Sequence, residues 1–261
     1  RMYGLYDTPM KKIEFISLIK GVETTMPIIP AKEYKHQWMI DMAKDFKKTG
    51  SLAKGGDHAE NERVLHTSRC PGIINIKNEG WLVRTHQDIK LNISGAGLKW
   101  STPLNDYEAS FETGEVTVGI HKEFAYTDFR KNWPEGWFKG LVKINTPWVV
   151  KVPLGYKLLQ LHPSHLDTGD WMAVPGSYTD SYGMPKLNAV LAFFRDGEYM
   201  IPAGTPVAQM ILVKNDDVEM EQRGRDEKFM RDYEIHSLMS HNKFERSYNY
   251  MKETWHKWMK K

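Results

Sequence analysis

The chain holds a single cysteine, Cys70, so it cannot form an internal disulfide and its covalent chemistry does not ask for an oxidising compartment. It also lacks a marked excess of either charge. Its 36 Lys and Arg against 33 Asp and Glu leave a formal +3 and an isoelectric point near 8.7, short of the basic surplus of a dedicated nucleic-acid binder. No apolar run reaches the roughly 18 residues that a membrane-spanning helix requires, and the first residues lack the pattern of a signal peptide. These absences lead to the expectation of a soluble, cytoplasmic protein with no membrane or nucleic-acid partner. There is no Gly-x-x-x-x-Gly-Lys-Ser/Thr loop, no Cys-x-x-Cys pair and no Gly-x-Ser-x-Gly elbow. P-loop nucleotide hydrolysis, structural zinc and the usual serine hydrolases are therefore not expected. Internal repeats and low-complexity tracts are missing as well.

What is present is the material of a folded protein. In 261 residues, 41% are hydrophobic, 26% charged and 12% aromatic, which fits one large domain or two small ones. A chain of this size buries roughly 70–75% of its unfolded surface. Residues 1–9 precede Met10, a candidate natural start, and a strand-like run follows in which Ile13 and Phe15 alternate with Glu14. Met26-Pro-Ile-Ile-Pro30 reads as extended, because each proline restricts itself and the residue before it. Trp38, Met42 and Phe46 recur every four positions and predict a short amphipathic helix over 34–48. Residues 49–63, with three glycines and few apolar side chains, read as an exposed loop.

From about residue 70 to 213 the texture is that of strands. Runs at 73–76, 81–84, 89–93, 115–120, 141–144, 148–152, 156–161, 187–194 and 207–213 are separated by Gly, Pro, Asn and Asp. None is followed by a helical stretch long enough for a parallel crossover, so the pattern predicts an antiparallel sandwich, jelly roll or barrel. At the carboxyl end Phe244, Tyr248, Met251, Trp255 and Met259 form one helical stripe, and a second helix is expected over 226–239. The division expected is 1–64, a strand, a helix and a loop; 65–213, the β domain; and 214–261, a helical extension.

Several short blocks carry a resemblance. Arg69-Cys-Pro71, Gly80-Trp81, Asn145-Thr-Pro-Trp148, Val152-Pro-Leu-Gly-Tyr156, His162-Pro163, Gly176-Ser-Tyr-Thr-Asp180 and Ile201-Pro-Ala-Gly-Thr-Pro-Val-Ala-Gln209 occur in an order that resembles a family of bacterial and phage proteins of unknown function. Within that likeness, the Pro-x-Gly-Tyr strand, the Gly-initiated turn and the Gly-Thr-Pro-Val-Ala-Gln strand are similar to the core of the trimeric dUTPase and dCTP deaminase barrel. That second resemblance implies a catalytic role for Asp180 as a water-activating base and for Tyr182 against a sugar. It also implies sites closed between subunits. Counted without a gap from Gly176, Thr179 falls at the catalytic place instead of Asp180, and a threonine is no base at neutral pH. The serine-rich phosphate-contacting segment of that fold is absent, and an aromatic helix stands where its glycine-rich arm would be.

Other candidate residues come mainly from composition and spacing. His162-Pro-Ser-His165-Leu-Asp167 contains a His-x-Asp pair; on an extended strand His165 and Asp167 would share a face, as in non-haem iron oxygenases. With His162 they are the candidate metal ligands and iron the candidate cofactor, the third ligand being sought among His121, His236 and His241. The plainer reading is a polar loop, since Thr168-Gly169-Asp170 follows. Trp133 and Trp137 are candidate ligand-binding residues, with core packing as the plainer reading, and the barrel resemblance implies Tyr156 and Gln209 as two more. The terminal run 255–261 is basic and aromatic, which a helix end rich in lysine explains as well as an anion contact does. Cys70, with His66 as a potential base, reads more simply as a buried thiol.

Three functions follow as expectations. The first is a β-barrel binding or assembly protein of phage or bacterial type, acting as a homo-oligomer through the barrel or the C-terminal helices, with a small-molecule ligand allowed for. It would reside in the cytoplasm, that of the host if phage-encoded. The second is an iron-dependent oxygenase and the third a dUTPase-like nucleotide-processing enzyme.

Overall fold

The computed structural model describes residues 12–41, 44, 71–94, 97–103, 116–121, 140–166 and 168–222. The chain divides into two compact units, Arg1–Asn215 and Asp216–Lys261. In the first, the described residues form thirteen strands in three antiparallel sheets. Sheet A has β7 (Leu141–Lys151) and β11 (Lys186–Phe193) at its centre, with β9 (Trp171–Ala173) beyond β11. The other edge of β7 is shared by β6 (Val118–His121) along its first half and β1 (Glu14–Ser17) along its second. Sheet B runs β10 (Gly176–Thr179), β8 (Tyr156–Leu161), β13 (Pro206–Lys214), β3 (Trp81–Arg84) and β2 (Ile29–Pro30). Sheet C is three strands, β12 (Gly197–Ile201), β4 (Ile89–Ser94) and β5 (Gly97–Ser101).

The antiparallel β class expected from the strand runs is the class observed. A closed barrel is not: the described strands make three open sheets, because β4, β5 and β12 pair among themselves instead of bridging sheets A and B. One apolar cluster nevertheless joins all three. It takes Val142, Ile144, Leu191 and Phe193 from sheet A, Val83, Leu158 and Met210 from sheet B, and Ile89, Leu91, Ile93 and Ile201 from sheet C. Burying these side chains is the main stabilising term, at about 1.5–3 kcal/mol for each fully buried aliphatic or Phe residue. Tyr178 of β10 ties two sheets together, since its hydroxyl donates to Gln160 Oε1 of β8 (3.2 Å) and accepts the Asn188 N–H of β11 (3.4 Å).

Two sequence expectations need correction. The run 73–76 is not a strand but part of a helix, α2 (Pro71–Asn78), the earlier one-turn helix at Val22–Thr25 being α1. Proline is favoured at a helix's first position, where its missing N–H costs nothing, and Ile73, Ile74 and Lys77 then fall on one half-buried helical face. The β-branched isoleucines yield to that context. The runs 141–144 and 148–152 are a single strand, β7, which carries Pro147 in its interior. Proline is tolerated there because β6 leaves off at Val118↔Ile144 and β1 begins at Ser17↔Trp148. The register against β11 also shifts between Lys186 and Asn188. No ladder bond is waiting for an N–H at that point.

The amphipathic helix expected over 34–48 is seen as helical residues at 37–41 and 44, the rest lying outside the described residues. The loop at 49–63 and the helices expected at 226–239 and 244–259 also lie outside them.

Candidate functional site

Three of the residues singled out in the sequence, His162, His165 and Gln209, meet at the end of β8. The chain leaves β8 after Leu161 and turns through 162–166, so His165 does not sit on an extended strand. It occupies the left-handed region (φ 59°), which undoes the expectation that His165 and Asp167 share a strand face. Residues 162–166 are turn and coil. His162 Nδ1 accepts the Ala173 N–H (3.1 Å), and its Nε2 lies 3.1 Å from the Leu166 carbonyl. These bonds require the neutral tautomer with the proton on Nε2, and both ring nitrogens are thereby engaged by backbone. Burial holds the His162 imidazole below its ordinary proton affinity, the bond to Leu166 offsetting part of the effect. Asp167 lies outside the described residues, as do His236 and His241. Among the described residues no group of three or more His, Cys, Asp and Glu gathers where a metal ion could be held.

Gln209 is 1% exposed and makes three bonds. Its Oε1 accepts the Ser164 N–H (2.8 Å), and its Nε2 donates to the carbonyls of Ile76 (2.7 Å) and Glu79 (2.8 Å). It therefore fastens β13, the end of α2 and the turn at 162–166 to one another. Tyr156 is half-buried and packs on the core cluster. Asp180 opens a one-turn 3₁₀ helix (Asp180–Tyr182), and its Oδ2 accepts the Gly155 N–H at 2.9 Å, bracing the β7–β8 connection. Thr179 Oγ1 lies 2.6 Å from Ser181 Oγ. Of Tyr182 only the backbone is described, and Trp133, Trp137, Cys70 and His66 lie outside the described residues. The structure thus brings His162, His165 and Gln209 to one corner and puts Asp180 at a different connection.

A site that sequence reasoning missed lies on the outer face of sheet C. In β4 the buried Ile89, Leu91 and Ile93 alternate with exposed Lys90 and Asn92. Register places Ser101 and Met200 on either side of Lys90, and Lys99 and Glu198 on either side of Asn92. These side chains line a concavity of about 480 Å³, which Trp100 and Tyr199 also border. Asn92 Nδ2 donates to Glu198 Oε1 at 3.1 Å. Lys90 and Lys99 occupy diagonal positions, roughly 7 Å apart at that spacing, and neither has an ion-pair partner among the described residues. The signal was present in the sequence as the Ile-Lys-Leu-Asn-Ile alternation, but the partners β5 and β12 were not recognised as strands.

No family model and no curated protein matches the chain. The functional reading therefore rests on geometry.

Proposed function

We propose that the chain is a non-catalytic binding or assembly protein whose first unit recognises an anionic partner on the concave face of sheet C. The observation that carries this reading is the pair Lys90 and Lys99 on the rim of that concavity. Two like charges at diagonal positions repel, Glu198 at the matching diagonal to Lys90 offsets part of that, and an anion set between the lysines relieves the rest while Asn92 and Ser101 supply hydrogen bonds. Exposed Met200, directly opposite Lys90, adds apolar surface beside the cations, and the volume falls in the range of small-ligand sites.

On this reading the fold is an opened, distorted relative of the jelly-roll or dUTPase barrel, working as a homo-oligomer in the cytoplasm. Some of the side chains that the oxygenase and nucleotide readings would use are bonded to backbone. His162 and Asp180 bond to backbone groups, and Gln209 does the same. The test is a metal analysis of purified protein beside a thermal-shift panel of inorganic polyphosphates, dicarboxylates, nucleotides and 2-oxo acids, with molar mass measured by light scattering. Stabilisation by polyanions that weakens with salt and is lost in the double variant Lys90→Gln, Lys99→Gln supports the proposal. Stoichiometric iron would overturn it in favour of the oxygenase, and turnover of a deoxynucleotide in favour of the nucleotide enzyme.

A further inference from the structure

The segment that follows β2 is fastened to the 162–166 turn by a row of rings. Tyr34 meets His36 edge-on with centroids 5.0 Å apart, His36 lies 6.1 Å from Trp38, and Trp38 lies 6.2 Å from His165. Trp38 Nε1 donates to the His165 carbonyl at 2.9 Å, and the His36 ring also bonds to the His165 backbone. His36 is 6% exposed, yet its Nδ1 is buried and has no hydrogen-bond partner among the described residues. An imidazole in such a place tolerates the neutral form and resists a second proton, because the cation would lose its water and gain no acceptor.

The surroundings make a second proton still less welcome. The charged and titratable groups that face the ring are Lys77 from α2, His165 from the turn and Tyr34 from its own segment; Arg84 of β3 in turn acts on Tyr34. Burial, then Lys77 and His165, push His36 below its ordinary proton affinity, while the bond to the His165 backbone offsets part of the effect.

We propose that His36 is an acid-released latch: neutral, it holds residues 34–38 on the 162–166 turn, and protonated, it lets that segment go. The sign follows from linkage. In the released segment the imidazole regains its ordinary pKa of about 6.5, whereas in the held segment it is lower. Between those two values the ratio of released to held molecules rises with acidification, by at most about tenfold for each pH unit. The latch is independent of the lysine face on sheet C. It needs no ligand, only a group whose burial is affordable in one protonation state.

The experiment is hydrogen exchange of the full chain read by mass spectrometry at pH 7.5, 6.5 and 5.5, with intrinsic rates corrected. Peptides across 34–41 should lose up to about fivefold in protection between pH 6.5 and 5.5, against less than about twofold between 7.5 and 6.5. Peptides from β7 and β11 should stay level. His162 stands in the same turn and also titrates in acid, so the variant His36→Gln separates the two: it should flatten the response of 34–41. An unchanged response in that variant, or no response in the wild-type chain, overturns the proposal. If His36→Gln fails to fold, Lys77→Gln serves instead, because removing the neighbouring cation should move the release to higher resistance, that is, to lower pH. A release pH that does not move in Lys77→Gln overturns the proposal.

Discussion

The corner where α2, β13 and the 162–166 turn meet and the outer face of sheet C use polar side chains in opposite ways. At the corner, Gln209 and His162 between them bond to five backbone groups, and the same atoms that looked like ligands hold the chain in place. On sheet C, Lys90 and Lys99 project from a ladder that is complete without them. A polar residue can be essential to a fold or available to a partner, and which it is depends on whether the backbone around it already has its hydrogen bonds.

Four perturbations would break or sharpen that contrast. The largest effect is expected at Gln209. Gln209→Leu keeps the volume but leaves the Ser164 N–H and the Ile76 and Glu79 carbonyls without partners, at a cost of about 3–5 kcal/mol, since each buried group left unmade costs about 1–3. Chemical denaturation measures it; a loss under about 1 kcal/mol would mean the corner does not depend on this staple.

Gly80→Ala comes next. Gly80 has φ +69°, and a Cβ there would lie 1.9 Å from the Met210 carbonyl oxygen, so backbone must shift. About 3 kcal/mol of destabilisation is expected from strain and displaced β13 packing, read as a lowered denaturation midpoint at an unchanged slope.

The third is a pH effect. Burial, the largest cause in each, lowers the proton affinity of His36, His86, His121 and His162. A histidine whose folded pKa lies below the unfolded value of about 6.5 contributes stability that is present above that pH and is lost as pH falls toward the folded value. The thermal midpoint should therefore hold level from pH 8 to 7 and fall by several degrees from pH 6.5 to 5. A midpoint rising over that last interval would contradict the buried neutral imidazoles.

The smallest effect belongs to sheet C. Lys90→Gln with Lys99→Gln should change stability by no more than about 0.5 kcal/mol, as surface substitutions usually do, while removing polyanion binding. A large loss of stability there would show that the lysines serve the fold and erase the contrast.

The legible parts of the fold were those in which local pattern and tertiary demand agree. The runs 81–84 and 156–161 coincide with β3 and β8, where β-favouring side chains are bounded by Gly80 and by Gly155 and Pro163. The run 73–76 misled because isoleucines fit a strand as well as a helix, and Pro71 carried the deciding information. β5, β9, β10 and β12 were not read at all. Each is five residues or fewer, and β9 and β10 lie at sheet edges, so burial leaves little alternation to detect. The candidate residues fared similarly. The sequence drew attention to His162 and Gln209 by their chemistry, but it had no means of showing that their partners were backbone atoms from α2, β9 and a turn.

By itself the sequence determined the chemistry available: antiparallel strands without crossovers, one cysteine, near balance of charge, and imidazoles clustered between 162 and 165. Only the tertiary structure decided that three sheets stay open around one core, that Pro147 lies inside a strand, and that Lys90 faces a concavity while His36 is walled in. The reason is one of range. Periodicity and turn chemistry act over a few residues, whereas a hydrogen-bond partner or a neighbouring charge can lie 130 positions away along the chain, as the Glu79 carbonyl does from Gln209.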